Sequence, residues 1–299
     1  MKNSKPNKAA LNRREAIRNV GIGTLALGGS LMAPGQITAA TGSMEDTLGN
    51  EDLKGKVAIV TGARNNLGRG FAVALAAMGA NVVVHHHTAD TRDQAEETAR
   101  LVEAQGVKSA IVVGDLGKLE NIARMFDTAE KQFGSVDILI NNAGQIVKKP
   151  MSEVTEEEYD RLANINSKGT FFCMREASRR LSDNGRIINI GTSLFTAITP
   201  NYSVYAGTKA GMEEYTRALT KEVGSRGITV NVVCPGPVDT PFFHGQETPE
   251  SVAYISRFSI AGRIGEVSDI VPLISFLASP NSQWVSGQTF WVNGGYATR

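Results

Sequence analysis

The stretch Lys56-Val-Ala-Ile-Val-Thr-Gly-Ala-Arg-Asn-Asn-Leu-Gly-Arg-Gly70 constrains the fold of this chain more than any other. Val57 to Val60 is an unbroken apolar run, which suits a strand covered on both faces inside a parallel sheet. Gly62 and Gly68 follow, and Phe71 to Met78 then reads as a helix. A strand, a glycine-bearing turn and a helix N-terminus in that order form an anion site. Their backbone N–H groups point outward and the helix dipole favours negative charge. The turn residues Gly62, Arg64, Asn65, Asn66, Leu67 and Gly68 are therefore expected to hold the pyrophosphate of a nucleotide.

The rest of the chain continues the alternation. Asn81 to Val84, Ile111 to Val113, 136–141, 186–190, 228–233 and Thr289 to Val292 read as strands. Gln94 to Ala104, Glu120 to Phe133, the region near 156–182 and 204–224 read as helices. Such alternation predicts one α/β domain over 53–299, a Rossmann-like doubly wound parallel sheet with helices on both faces. Two of the strands end in polar, small-residue turns, Val136-Asp-Ile-Leu-Ile-Asn-Asn-Ala-Gly144 and Gly185-Arg-Ile-Ile-Asn-Ile-Gly-Thr-Ser193.

Chemistry enters at Tyr205-Ala-Gly-Thr-Lys209. Residues four apart share a helix face, so the Lys209 ammonium can lie close to the Tyr205 phenol. A free phenol has a pKa of about 10. A nearby cation lowers it and makes Tyr205 a usable general acid/base.

Taken together these segments resemble the short-chain dehydrogenase/reductase family, over nearly everything from Leu53 to Arg299. Thr61-Gly62-xxx-Asn66-x-Gly68 is similar to the family's T-G-x-x-x-G-x-G turn, with Asn66 where the middle glycine usually stands. Asn tolerates a positive φ better than most residues, so the turn is expected to survive. Asn141-Asn142-Ala143-Gly144 matches the N-N-A-G segment, and Pro235-Gly236-Pro237-Val238-Asp239-Thr240 the P-G segment. The resemblance implies an NAD(P)(H)-dependent oxidoreductase interconverting a carbonyl and a secondary alcohol. It also implies roles for single residues: Tyr205 as proton donor, Lys209 on the nicotinamide ribose, and Asn166 holding a water that relays protons to Lys209. A serine is implied about thirteen residues before the tyrosine. Thr192 has that spacing and Ser193 has the residue type, so both stay open. Asn142, Ala143, Gly144, Pro235, Gly236, Val238, Thr240, Asp115 and Leu116 are expected along the nucleotide. The 3-oxoacyl-carrier-protein reductase and the sugar or polyol dehydrogenase branches share nearly all these motifs. The segment Pro241 to Arg263, with Phe242, Phe243, His244, Tyr254 and Phe258, is expected to form the lid over the substrate. A nucleotide-binding protein without turnover is a reading of another class; only Asn66 and the displaced hydroxyl speak for it.

The end of the second strand should discriminate nucleotides. NAD-binding folds usually carry Asp or Glu there for the ribose 2′-OH. This chain has Val84-His85-His86-His87-Thr88, with no acid before Asp90. Arg64, His86, His87 and Thr88 could instead supply donors to a 2′-phosphate. NADP(H) is therefore favoured, with NAD(H) possible. Three consecutive histidines do not predict a metal site, because neighbouring strand residues face opposite ways; none is expected. Cys173 and Cys234 read as small buried hydrophobes.

Residues 1–40 stand apart. Lys2, Lys5, Lys8, Arg13, Arg14 and Arg18 are opposed only by Glu15, which leaves the rest of the chain net acidic. That balance argues against nucleic acid as a partner. Arg13-Arg14, the glycine-rich apolar run from Val20 to Ala33 and the small residues Thr38-Ala39-Ala40 have the layout of an export signal. The paired arginines resemble the twin-arginine type. The run is too short to span a bilayer, which takes about 20 apolar residues, so no membrane anchor is expected after cleavage. The expectation is a signal over 1–40, a linker over 41–52 and a periplasmic enzyme; a cytoplasmic tail is the alternative. By family resemblance the helices at 156–182 and 204–224 and the C-terminal stretch from Trp291 to Arg299 pair subunits into a homotetramer.

Overall fold

Apolar residues on alternate strand positions divide between two cores. Ala58 and Val60 face one, and Val57 and Ile59 the other, as the period-2 geometry of a strand dictates. The computed structural model describes residues 52–298, so the expected signal and all but the last residue of the expected linker lie outside the described residues. Seven strands form one sheet in the order β3-β2-β1-β4-β5-β6-β7. They are β1 (Val57–Val60), β2 (Asn81–His86), β3 (Ser109–Val113), β4 (Ile138–Asn141), β5 (Arg186–Ile190), β6 (Thr229–Pro235) and β7 (Thr289–Val292). Every pairing is parallel.

Helices cover both faces. On one lie α1 (Asn66–Ala77), α2 (Arg92–Glu103) and α9 (Val267–Ala278), which bury Phe71, Leu75, Val102, Ile270, Ile274 and Leu277. On the other lie α3 (Leu119–Phe133), α5 (Thr170–Arg180) and α6 (Ser203–Val223), which bury Ile122, Phe126, Met174, Ala177 and Leu219. The predicted doubly wound sheet is what the chain forms. Its strand order reverses between β1 and β4, and ligands of open α/β sheets bind in the crevice at such a switch point.

Some boundaries differ from expectation. Helix α1 begins at Asn66, five residues before the predicted start, and β2 continues through His86. Helix α9 was not foreseen; it carries Pro272 in its interior. Burial of Ile270, Ile274 and Leu277 outweighs the hydrogen bond that Pro272 cannot make. The region near 156–182 is α4 (Glu156–Leu162), a π-turn over Ala163–Gly169 and then α5. Two short helices, α7 (Pro241–His244) and α8 (Pro249–Ser256), occupy the segment expected as the lid.

Candidate active site

The glycine turn after β1 is held from three sides. Thr61 Oγ1 accepts the backbone N–H groups of Asn142 and Ala143, each at 2.9 Å. Asn142 Nδ2 donates to the carbonyls of Thr61 (2.9 Å) and Gly62 (3.1 Å). His85 Nδ1 accepts from the Gly62 N–H at 3.2 Å, while its Nε2 donates to the Gly114 carbonyl at 2.8 Å. Accepting on one nitrogen and donating on the other requires a neutral ring. Burial lowers the His85 pKa to about 4, against the Gly114 bond, with His86 and His87 lowering it further. His85 is thus a staple of the turn that sequence reasoning missed.

The turn has no room for side chains. Gly62 has φ +64°, and a Cβ on Gly68 would lie 2.3 Å from the Gly62 carbonyl oxygen and 2.6 Å from Asn142 Nδ2. Asn66 adopts φ +49°, as expected of the residue replacing a glycine. Asn65 caps α1 without a side-chain bond, and no acid occupies the first turn. The helix N-terminus therefore remains available to an anion. Arg64 bonds Gln94 of α2. Arg69 Nη2 donates to the Arg64 carbonyl at 2.8 Å and fixes that backbone.

A cleft of about 490 Å³ runs from this turn to the lid. Gly62, Arg64, Asn65, Asn66, Leu67, Gly68, His87, Leu116, Asn142, Ala143 and Gly144 line it. So do Thr192, Ser193, Tyr205, Lys209, Pro235, Gly236, Val238 and Thr240. Three predicted site residues do not. His86 is buried, and its Nδ1 lies 3.0 Å from both the Thr88 carbonyl and Thr91 Oγ1. Strand alternation turns it away from the face that His85 and His87 share. Asp115 Oδ1 accepts the Gly117 N–H at 2.8 Å and shapes the turn after β3 instead of capping α3, whose N-cap is Lys118. Asn166 lies in the π-turn with both amide hydrogens engaged. Its Oδ1 accepts the Gln145 N–H (2.8 Å), and its Nδ2 donates to the Gln145 carbonyl (2.9 Å) and to Thr208 Oγ1 (3.0 Å). Asn166 thus pins the strand-to-loop exit beside Lys209. Thr88, expected as a donor at the nucleotide end, lines the cleft, as do Glu247 and Ile255 of the segment expected as the lid; Thr91, Tyr202 and Tyr296 line it without having been foreseen.

At the catalytic end, the two candidate hydroxyls point differently. Thr192, two residues past β5 and in extended conformation, accepts the Leu194 N–H at 3.3 Å, and its hydroxyl draws the Tyr205 phenol pKa down against burial. Ser193 is turned toward the sheet end, where its Oγ accepts from Asn293 Nδ2 (3.0 Å) and donates to the Cys234 carbonyl (3.4 Å). Geometry thus favours Thr192 as the partner of the reacting oxygen. Lys209 Nζ donates to the Ile190 carbonyl at 2.7 Å and stands 5.7 Å from the Tyr205 ring centre. Burial sets both pKa values. It pushes Tyr205 up to about 12 against the Thr192 bond and Lys209 down to about 8. The expected lowering of the phenol by Lys209 is not among the influences on Tyr205, of which burial is the largest. At neutral pH the phenol keeps its proton, which is the state of a proton donor. Phe242 and Phe243 line the cleft, Phe242 with an exposed side; Tyr254 and Phe258 are exposed and do not line it. Among the described residues no group of three or more His, Cys, Asp or Glu could hold a metal, and no helix is long and apolar enough to cross a membrane.

A parallel sheet with a nucleotide-sized cleft at its switch point, and a buried Thr/Tyr/Lys constellation at one end of it, defines a nucleotide-dependent oxidoreductase. Comparison with known proteins narrows the class. A family model described as enoyl-(acyl carrier protein) reductase matches residues 62–297. A short-chain type dehydrogenase/reductase of Picea abies is 39% identical over 253 residues, 81% of this chain and 93% of that protein. An NADPH-dependent aldehyde reductase-like chloroplastic protein of Arabidopsis thaliana is 38% identical over 256 residues, 82% of this chain and 95% of that one. A Burkholderia cenocepacia protein solved with bound NADP superposes with a TM-score of 0.80 at 40% identity, covering 85% of this chain and 97% of that one. The chain belongs to the short-chain dehydrogenase/reductase family.

Proposed function

We propose that this protein is an NADPH-dependent reductase that converts a carbonyl compound to an alcohol. The observation that carries the reading is the buried Thr192–Tyr205–Lys209 constellation, reached by a cleft whose other end presents Arg64 and His87. The cradle fits a dinucleotide: Gly68 lets the start of α1 pack directly on Gly62 and Asn142, and the N-terminus of α1, without a side-chain cap, lies on the cleft. Arg64 and His87 would meet a 2′-phosphate; the Asp115 carboxylate, 3.9 Å from His87 Nδ1, is outside the lining. Similar proteins named NADPH-dependent or solved with NADP support the same choice.

The nucleotide, when bound, supplies hydride to the carbonyl carbon. The chain's own residues do the rest. Tyr205 releases its proton to the carbonyl oxygen, and Thr192 orients that oxygen by a second hydrogen bond. Lys209, fixed on the Ile190 carbonyl, places a positive charge where the phenolate forms. Ile146, Leu194, Phe242 and Ile255 wall the other end and exclude water, so a carbonyl carrying apolar bulk fits best. The test is nicotinamide absorbance with NADPH and NADH over a panel of ketones, aldehydes, acyl thioesters and sugars. Turnover of ketones or aldehydes with NADPH is expected; turnover with NADH alone, or of no carbonyl, would overturn the reading.

The same reading takes residues 1–40 as a twin-arginine export signal, supported by Arg13-Arg14 and the small residues before Ala40. The enzyme would then work in the periplasm and arrive with its nucleotide bound. Export followed by N-terminal sequencing and nucleotide extraction tests this; an uncleaved cytoplasmic chain would sink it. A homotetramer through α4–α5 and α6 is supported by the edge-packed Phe171, Phe172 and Tyr215, with Phe171 exposed. Light scattering at micromolar concentration would refute it by a monomeric mass.

A further inference from the structure

Glu247, between α7 and α8 of the lid, has only 2% of its side chain exposed. Three segments far apart in sequence or fold supply its donors. Lys148, from the loop after β4, brings Nζ to 2.6 Å from Oε2. Tyr202, the residue that precedes α6, donates its hydroxyl to Oε1, and Ser251 of α8 donates to Oε2. Lys148 also lies 5.4 Å from the centre of the Tyr202 ring. The Tyr202 ring in turn stands 6.3 Å from that of Tyr205, edge on.

Stability alone gives a poor account of this cluster. Withdrawing an ion pair from water costs as much as its attraction returns, and apolar packing of equal volume would usually do as well. The lid is otherwise apolar at this end, with Phe242 and Ile255 on the cleft. Burial pushes the Glu247 carboxyl up, but the bonds from Lys148, Ser251 and Tyr202 outweigh it and hold the group below the usual carboxylate range. The charge is therefore kept, and it sits where the lid meets the residue that flanks Tyr205.

We propose that Glu247 is a positioning residue, which ties the lid to Tyr202 and so fixes the Tyr202 ring as the wall against which a substrate carbonyl is presented to Tyr205. The tie joins the closing segment to the N-terminus of the helix that carries both Tyr205 and Lys209. Opening the lid must break it, and closing the lid re-forms the wall. The kinetic part of this inference rests on the carbonyl-reducing reading; the conformational part does not.

Four variants of the full-length chain test it: Glu247→Ala, Glu247→Gln, Tyr202→Phe and the double Glu247→Ala/Tyr202→Phe. Amide hydrogen exchange is read first, on the protein without nucleotide or substrate. Glu247→Ala should speed exchange across 241–256 by about tenfold while α1 and β4 keep their protection. The KM for the best carbonyl substrate should rise about tenfold, with the NADPH Kd within about twofold of the parent. Glu247→Gln should recover much of the loss, since its amide oxygen still accepts from Tyr202. The double variant should be no worse than Glu247→Ala, because both changes cut one tie. Unchanged lid exchange, additive effects in the double variant, or an NADPH Kd that rises as far as the KM would each overturn the proposal. If no carbonyl is turned over, the exchange measurement and its double variant still decide it.

Discussion

Replacing Thr192 by Val and, separately, Ser193 by Ala should have very unequal effects. Thr192 and Tyr205 are both buried at the end of the cleft, and the Thr192 hydroxyl is the group that draws the phenol pKa down against burial. Valine keeps the shape and removes that partner. The loss is of a donor aimed at the reacting oxygen, which elsewhere costs about 10²–10³ in kcat. Ser193 instead accepts from Asn293 Nδ2 and donates weakly to the Cys234 carbonyl. Asn293 Nδ2 keeps its bond to the Ala297 carbonyl at 2.7 Å when Ser193 is gone. Ser193→Ala should therefore cost about 1 kcal/mol of stability and leave kcat/KM within about threefold of the parent. Steady-state kinetics with NADPH and one good ketone give the first quantity, and urea unfolding the second. The reasoning fails if Ser193→Ala is the more damaging change for catalysis, or if Thr192→Val leaves kcat/KM near the parent value.

Tyr205→Phe should abolish turnover while NADPH titrates with nearly the parent Kd, because the ring still packs and only the proton donor is lost; turnover within a few-fold of the parent would remove Tyr205 from its role. His87→Asp should move preference toward NADH, since a carboxylate on the cleft repels a 2′-phosphate; an unchanged ratio of the two Kd values would place discrimination elsewhere. His85 titrates at about 4 in the folded chain against 6.5 unfolded. Between those values the unfolded chain binds the extra proton, so its contribution to stability is complete above pH 6.5 and falls as the pH drops toward 4. Urea unfolding at pH 7 and pH 5 should show the parent losing about 2 kcal/mol more than His85→Gln, and equal losses would refute the assignment.

The features read correctly from sequence are those whose causes are local. The apolar runs of β1 and β5, the glycine turn and the Tyr205/Lys209 spacing each carry their signal within a few residues. Asn66 is legible as a positive-φ position because few other residues accept one. What escaped depends on partners distant in the chain. His85 is recognisable only once Gly62 and Gly114 are known to flank it, 23 and 29 residues away. Glu247 looks like any surface glutamate until Tyr202 and Lys148, 45 and 99 residues back, close around it. His86 was misassigned because composition alone does not say which of three neighbouring histidines faces the cleft. Helix α9 carries Pro272 inside it, and the burial of Ile270, Ile274 and Leu277 that holds it together depends on a sheet face distant in the chain.

The π-turn over Ala163–Gly169 holds one residue more than the α-helix around it. Its wider turn absorbs that residue, so α4 and α5 keep nearly the phase of one continuous helix from Glu156 to Arg180. Deleting a residue such as Asn164 would restore regular hydrogen bonding and leave Cys173, Met174 and Ala177 facing the core. The cost would fall inside the turn, where Asn166 would be drawn off Gln145 and Thr208. The irregular turn works as a blister on a straight rod: it pushes one amide out toward the site and leaves the faces on either side in step.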